Sequence, residues 1–426
     1  MRIFGVMFVI VVCVVSEAWS EPLNLERSIE LAISNNHSLR AASKKVILSK
    51  EGILEVKTGF YPTLKLESSY TRLNEATTVD FQGLSMAMSD DEIYEAKGVI
   101  QQPLFTGGKI SSNYELAKDN YESTQYEYKK VKNELILEVK SAYLGILKAL
   151  KFQQIAQETV KQVESHLKVV TNFYDAGMVA KVDVLKTEVQ LANVQQNLVQ
   201  AENRVNLAKV SFNQVLAQDQ NTPVEVIDIL ELRPQIINLN ECLKEAQEMR
   251  PELKQLKANI EILKQKVKIA RSDYYPSVNL IGNYDYQKGQ KTPIDEWEKT
   301  WMAGICLNFN LWDWKARDSR VKQAEAEMAG VEEQLLLLKD RILLEVRQTC
   351  LSLEEAEKNI GVARKSIGQA EENLRITEEM YKEGMATTTD VLDAQTLLTQ
   401  AKTNYYQALY DYNLAWARLQ KAIGRN

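Results

Sequence analysis

The sequence predicts a mainly α-helical fold with a smaller membrane β portion, built from one unit that occurs twice. Three observations predict it. The phrase YDAGMVAKVDVL, which begins at Tyr174, returns as YKEGMATTTDVL at Tyr381, 207 positions later. Two long intervals, 104–222 and 294–426, contain no proline and repeat apolar residues with a 4-3 spacing. Ahead of each interval the apolar period changes to two, which is the period of a β-strand.

The first 20 residues are typical of a secretory signal peptide. Arg2 precedes an apolar run over 3–15, and the triplet Ala18-Trp19-Ser20 offers small residues at the cleavage positions. The run is shorter than the roughly 20 residues that a spanning helix needs. We therefore expect cleavage before Glu21 and export. Cys13 raises lipidation as an alternative, which Val12 disfavours because lipidation sites carry a small residue there.

The composition is that of a folded protein without a basic nucleic-acid surface. The chain has 426 residues, 26% of them charged, and a formal net charge of -6 with acids and bases well mixed. This argues against a nucleic-acid partner. Cys242, Cys306 and Cys350 form no C-x-x-C motif, so we expect free buried thiols. The two histidines have no ligand cluster around them, and no metal site is expected.

The proline-free intervals predict very long helices over 108–174 and 315–381. A proline inside a helix costs about 3 kcal/mol, so its absence permits an uninterrupted helix. At about 1.5 Å per residue each helix would be roughly 100 Å long. The 4-3 spacing is that of a coiled coil, although a plain helical bundle would show the same stripe.

Each long helix is predicted to turn back on itself at the repeated phrase. Gly177 and Gly384 lie where a C-cap glycine belongs. Asp183 and Asp390 are suited to starting the next helix. The returning helices are predicted over 182–216 and 389–422. The repeated phrase is therefore expected at the tips of two helical hairpins.

A β-hairpin is predicted ahead of each long helix, over about 60–105 and about 274–312. Residues alternate between the two faces over 301–311 and 64–70, and less regularly over 278–284, while the strand near 94–104 has a weaker pattern. Strands of this length, about 9–11 residues with one apolar face, are typical of membrane-spanning strands.

The loops of the two predicted hairpins differ in length. Seven extra residues in the first unit place its loop at about 71–95, against about 286–299 in the second.

Aromatic residues flank the second hairpin, as they do where proteins cross a membrane interface. The tryptophans concerned are Trp297, Trp301, Trp312 and Trp314. An amphipathic hairpin on a soluble core remains the alternative. Four strands leave open edges, which lipid does not allow. A membrane sheet would therefore need more than one chain, with two chains giving eight strands and three giving twelve.

The ordered, doubled set of motifs resembles the TolC family of outer-membrane efflux and secretion channels. The resemblance covers essentially the whole mature chain. It includes LNLERSIELAISNNHSLRAA, GFYPTLKLESSY, the strand-to-helix turn PLFTGGK and both tip phrases. The second unit departs from the family pattern, because it has LWDWKAR where the family usually has glycine in that turn.

The resemblance implies a homotrimer. Twelve strands would form an outer-membrane barrel in contact with lipid, and the helices would continue it as an α-barrel across the periplasm. The tips would meet a periplasmic adaptor, or membrane fusion protein, and an inner-membrane pump. The units would be 21–217 and 242–426, joined by an equatorial linker over 218–241.

The resemblance also implies roles for the tip residues. Asp390 and Asp393 match aspartates that ring the tunnel entrance, and threefold symmetry would crowd six carboxylates there. Such a ring favours cations and raises some of its own pKa values. A helix cap with a solvated face is the alternative for Asp390. Tyr381 and Asp183 match a closing network. The family's arginine is replaced by Ala386, and Lys181 and Lys186 are candidate substitutes.

The expected function is passive export, without catalytic residues, cofactor or enzymatic activity. The motif FTGGK lacks the spacing of a phosphate loop. A periplasmic coiled-coil scaffold, such as an adaptor without a membrane barrel, is the rival interpretation. The sequence does not identify the cargo, nor does it separate efflux from type I secretion.

Overall fold

A computed structural model describes residues 22–81, 83–87, 89–234, 237–289 and 296–425. The predicted signal peptide, its cleavage site and Cys13 lie outside the described residues. No helix among those that are described combines the length and apolar character needed to cross a membrane.

The first unit starts with a short helical arm and ends with a long helical hairpin. The elements are α1 (Leu25–Asn35), α2 (His37–Lys57), β1 (Thr63–Arg72), β2 (Thr78–Phe81), β3 (Leu84–Ala87), β4 (Glu92–Phe105), α3 (Lys109–Asp175) and α4 (Lys181–Val215). Helix α3 has 67 residues. The bounds of α3 and α4 lie within one residue of the predicted ones.

The second unit follows the same order without the small strand pair. The elements are α5 (Leu239–Met249), α6 (Pro251–Ser272), β5 (Ser277–Lys288), β6 (Glu298–Asn308), α7 (Ala316–Lys382) and α8 (Thr388–Ile423). Helix α7 also has 67 residues. The mainly α architecture with a duplicated unit is therefore confirmed.

The four predicted strands form one antiparallel sheet in the order β1-β4-β5-β6. Its central pair, β4 with β5, joins the two units. Within the described chain, β1 and β6 are the edges of this sheet. The sequence did not predict the separate pair β2–β3, which forms inside the expected loop over 71–95. This loop is long enough to fold back so that its two halves pair as short strands.

The helical arm that precedes the sheet in each unit consists of two helices separated by a break. In the first unit Asn36 has an extended backbone, and its side chain accepts hydrogen bonds from the N–H groups of Ser38 and Leu39. In the second unit Arg250 precedes Pro251, the first residue of α6. A residue before proline is forced away from helical geometry. A side-chain cap and a proline thus produce the same break.

Two large apolar clusters form much of the core, one mainly in the first unit and one in the second. Phe212 and Tyr143 are fully buried in the first, and Val346 and Ala422 in the second. The linker crosses the first cluster, where the Tyr143 hydroxyl lies 3.0 Å from the Leu23 carbonyl oxygen and 2.8 Å from that of Ile227. Because both carbonyls belong to irregular backbone, this hydroxyl holds the linker against α3.

Candidate functional site

The repeated phrase folds into the same turn at both hairpin tips. The N–H of Gly177 donates to the Tyr174 carbonyl over 2.8 Å, and that of Gly384 donates to the Tyr381 carbonyl over 3.1 Å. Both glycines have a left-handed backbone, with φ of 77° and 73°. This combination is the Schellman end of a helix, for which glycine is favoured because it lacks a Cβ. The repetition therefore encodes a backbone turn.

The two returning helices begin differently. Helix α8 is capped by Thr387, whose hydroxyl accepts from the Asp390 N–H, while the Asp390 carboxylate accepts from the Thr387 N–H over 2.7 Å. Helix α4 begins after Ala180, which has no side chain able to cap it. Asp183 and Asp390 both lie three residues inside their helices, so neither is itself the N-cap residue. Only Asp390 belongs to a capping box.

Asp390 and Asp393 are both exposed near the start of α8. Hydrogen bonds from the Thr387 side chain and backbone lower the pKa of Asp390 below its ordinary value. A rise of the pKa by repulsion would need carboxylates from neighbouring chains. Within one chain, Asp390 therefore takes part in the helix cap and is also exposed on the surface of α8.

The two tip tyrosines occupy different environments despite their matching positions. Tyr381 is 4% exposed and Tyr174 is 41% exposed. The Tyr381 hydroxyl accepts a hydrogen bond from the Thr388 hydroxyl over 3.2 Å. The Phe173 ring stacks on the Tyr381 ring, with centroids 5.5 Å apart. Tyr381 therefore joins the two hairpins, whereas Tyr174 faces outward.

Sequence reasoning missed the contribution of His166 to this contact. Its ring is buried against Tyr381, and its Nε2 atom has no hydrogen-bond partner among the described residues. Burial lowers the pKa of His166 to about 4. An open cavity of about 350 Å³ adjoins the ring, and its lining includes Lys161, Glu378 and Lys382. A lone histidine in an apolar stripe carries no sequence signal for such a contact.

Among the described residues of one chain, no hydrogen bond or ion pair links Tyr381, Asp183 and the two candidate lysines of the predicted closing network. Ala386 packs against the apolar cluster at the second tip. Lys181 and Lys186 are exposed, and neither forms an ion pair with a described residue of this chain. That one of these lysines takes the place of the family's arginine stays a prediction. It would require a contact between chains.

One face of the sheet is apolar and exposed. The strand register places Leu66 opposite Gly98, Gly98 opposite Tyr284, and Tyr284 opposite Trp301. These four residues therefore share a face. Leu66 is 81% exposed and Trp301 is 77% exposed. Side chains of this size are rarely left exposed in one contiguous patch unless something apolar covers them.

The opposite face of the same strands is polar. The adjacent row contains Glu67, Lys97, Asp285 and Thr300. The Lys97 ammonium lies 3.6 Å from the Asp285 carboxylate. Strands with one apolar and one polar face are suited to separating lipid from water.

The four predicted interface tryptophans lie at different heights along the sheet. Trp297 is at the loop end, where it stacks on Tyr286 with ring centroids 4.4 Å apart. Trp312 and Trp314 are at the helix end, with centroids 5.8 Å apart. Trp301 lies within β6, on the apolar face. Aromatic residues therefore occur at both ends of the apolar strands.

The turn into α7 is strained where the sequence departs from glycine. Gly107 and Gly108 turn β4 into α3 with φ of 60° and 85°. Trp314 and Lys315 occupy the matching positions with φ of 54° and 67°. A left-handed backbone costs a non-glycine residue about 1–2 kcal/mol. The second unit thus keeps the turn at a cost that the first unit avoids.

Comparison with known proteins agrees with this geometry. The sequence profile of the outer membrane efflux protein family matches residues 28–218 and 242–425. The chain belongs to the outer membrane efflux protein family. The two matched segments of this efflux protein correspond to the two structural units. Family membership makes it an outer-membrane channel and not an enzyme, as the sequence predicted.

The relatives match the efflux protein over nearly its whole length. Outer membrane protein TolC of Salmonella enteritidis is 24% identical over 417 residues, covering 95% of this chain and 82% of TolC. Alkaline protease secretion protein AprF of Pseudomonas aeruginosa is 22% identical over 416 residues, covering 94% of this chain and 84% of AprF. The CmeC outer membrane channel of Campylobacter jejuni superposes with a TM-score of 0.83 at 16% identity, covering 94% and 85% of the two chains.

Proposed function

We propose that three copies of this efflux protein assemble into a passive export conduit through the outer membrane. The observation that carries the proposal is the four-stranded sheet, which is apolar on one face, polar on the other and open at β1 and β6. An open edge in lipid leaves backbone hydrogen bonds unmade. Pairing β1 of one copy with β6 of the next would close the sheet.

The strand number favours three copies over two. Two chains would give eight strands, and an eight-stranded barrel is just wide enough for side chains to fill it. Three chains would give twelve strands and leave a lumen. Since the inner face carries charged pairs such as Lys97–Asp285, the lumen would be wet.

The helical hairpins would continue the lumen on the periplasmic side. With 67 residues, α3 and α7 would each extend roughly 100 Å from the sheet. In this proposal the equatorial linker over 218–241 separates the units 21–217 and 242–426. The helices would bring the tips towards a periplasmic adaptor and an inner-membrane pump, which would supply the energy.

The tips would form the entrance and its gate. Asp390 and Asp393, exposed on one face of α8, would place six carboxylates around the opening of a trimer and favour cations. Tyr381 and Gly384 of the second tip, with Tyr174, Gly177 and Asp183 of the first, would hold the closed state. In this proposal the inner-membrane pump selects the exported substrate.

Two measurements on the purified mature protein test this proposal. Native mass spectrometry in detergent should give a trimer, and a planar lipid bilayer should show discrete, small, cation-selective conductance steps. A folded trimer that shows no conductance steps, even when a low concentration of urea is added to destabilise the tips, would favour the periplasmic scaffold. A stable dimer would contradict the twelve-stranded arrangement.

A further inference from the structure

Two cysteines from separate helices of the second unit meet in its core. Cys242 is in the first turn of α5, and Ala246, four residues later on the same face, is fully buried. Cys350 is on α7 within the 4-3 stripe that includes Val346 and Leu353. Cys242 packs against the apolar cluster that contains Cys350, and each thiol shifts the pKa of the other. Both are free in this structure.

We propose that Cys242 and Cys350 are a redox pair, which a disulfide oxidant converts into a disulfide bond between α5 and α7. The sequence did not predict this pairing, because no C-x-x-C motif is present and 107 residues separate the two cysteines. Family membership places the chain outside the cytoplasm, where disulfides form and persist. The inference does not depend on the conduit proposed above.

The two thiols differ in a way that assigns their roles. Cys242 is partly exposed, whereas Cys350 is buried. Burial raises the pKa of both thiols, and that of Cys350 rises to about 11. The neighbouring Cys350 thiol partly offsets this rise at Cys242, because it favours the Cys242 thiolate. Cys242 is therefore the thiol that attacks first, and Cys350 is the one that resolves the intermediate.

The exchange balances with a disulfide as the oxidant. The Cys242 thiolate attacks one sulfur of the oxidant, forming a mixed disulfide and releasing the other sulfur as a thiolate. The Cys350 thiolate then attacks the Cys242 sulfur and displaces the second thiolate. The protein loses two protons and two electrons, and the oxidant becomes two thiols. Because both thiols are mostly protonated at neutral pH, the reaction in the folded protein should be slow and should accelerate at higher pH.

The bond would tie the start of α5 to α7. Helix α5 directly follows the inter-repeat linker, and it is held on α7 and α8 by apolar packing and by the ion pair of Glu245 with Arg425. A covalent link there would keep the linker end seated on the long hairpin. The oxidised protein should therefore resist heating better than the reduced protein.

Peptide mapping tests the pairing directly. The full mature chain, purified without reductant, is incubated with oxidised glutathione at pH 8, denatured and treated with N-ethylmaleimide. Trypsin separates the three mature cysteines, since Lys244, Lys299 and Arg347 are among the basic residues between them. We expect the Cys242 and Cys350 peptides to be linked and Cys306 to carry the maleimide. Three maleimide-labelled cysteines, or a link that includes Cys306, would overturn the proposal.

Variants supply the matched control. Cys306→Ser should keep the link, and its melting temperature should fall on reduction with dithiothreitol, as in the unaltered protein. Cys242→Ser should lose both the link and the response to reductant. An equal response to reductant in Cys242→Ser would contradict the pair. A failed conductance experiment would leave this result unaffected.

Discussion

The imidazole ring of His166 meets the Tyr381 ring edge-on, with centroids 5.1 Å apart and planes at 63°. His166 belongs to α3 of the first unit, and Tyr381 to the end of α7 in the second. The contact therefore joins the two hairpins just behind their tips. Burial keeps the imidazole neutral, since a charged ring in this apolar position would lose its hydration.

The first prediction concerns acid stability. The pKa of His166 falls from the ordinary 6.5 to about 4 on folding, so between these values only the unfolded chain takes up the proton. Stability should therefore decline as the pH falls from about 6.5 to about 4, by about 3 kcal/mol. Lys161, Lys382 and Glu378 line the adjoining cavity; the two lysines disfavour the charged imidazole and Glu378 favours it. Denaturant unfolding across this pH range measures the decline.

The two histidines of the chain provide the control. His166→Phe keeps an aromatic ring against Tyr381 and removes the titrating group, so the decline attributed to it should disappear. His37 is exposed at the start of α2, and His37→Gln should leave the pH profile unchanged. An unchanged profile in His166→Phe would assign the pH dependence to other groups.

A second prediction separates the two tip tyrosines. Tyr381→Phe removes the hydroxyl that accepts from Thr388 and should cost about 1 kcal/mol of stability. Tyr174→Phe should change stability by less than about 0.5 kcal/mol, because its ring is largely exposed. Unfolding in denaturant compares the two variants. Equal effects would mean that the repeated positions are equivalent in the assembled protein.

The entrance hypothesis is best tested first at Asp393. Asp393→Asn removes charge without touching the capping box of α8, whereas Asp390→Asn alters both. We expect reduced cation preference and weaker block by multivalent cations in Asp393→Asn, and a larger effect in the double variant. Asp340→Asn, in the middle of α7, is the control. Reversal potentials that match the unaltered channel in the double variant would rule out the carboxylate ring.

A fourth prediction concerns the buried charge of Arg250. Its guanidinium donates to the Glu345 carboxylate over 2.9 Å and to the Ala422 carbonyl over 3.0 Å. Burial opposes ionisation of Glu345, but Arg250 and Lys421 outweigh it and hold the pKa of Glu345 below its ordinary value. Arg250→Met leaves Glu345 with one cation and should cost about 3–5 kcal/mol.

The exposed pair of Arg425 with Glu245 is the matched control for Arg250. Arg425→Met should cost less than about 1 kcal/mol, because surface ion pairs contribute little. The stability that depends on Glu345 should also fall as the pH drops through its lowered pKa. Similar losses in the two methionine variants would show that solvent reaches Arg250.

The last prediction concerns the strained turn before α7. Lys315→Gly should stabilise the protein by about 1 kcal/mol, because glycine adopts the left-handed backbone without a clash. Ala316→Gly, one position later and inside the helix, should instead destabilise by up to about 1 kcal/mol. Denaturation midpoints compare the two. Destabilisation by Lys315→Gly would indicate a contact of the lysine that outweighs the strain.

Much of the local structure was predictable from the sequence. The 4-3 spacing and the missing prolines located α3 and α7 to within one residue, and the repeated Gly-Met located both turns. The breaks at Asn36 and Arg250 were missed, because a cap and a proline act on one or two residues within a stripe that otherwise continues. The pair β2–β3 was missed because each strand has only 4 residues, too few for their alternation to stand out from a loop.

The sequence by itself determined the duplicated hairpins, the alternating strands and the family resemblance, because each depends on neighbours along the chain. Only the tertiary structure decided that Tyr381 is buried while Tyr174 is exposed, that His166 bridges the units, and that Cys242 meets Cys350. The two units have nearly the same pattern but pack against different neighbours. Contacts between helices far apart in the chain depend on that packing, which periodicity alone does not specify.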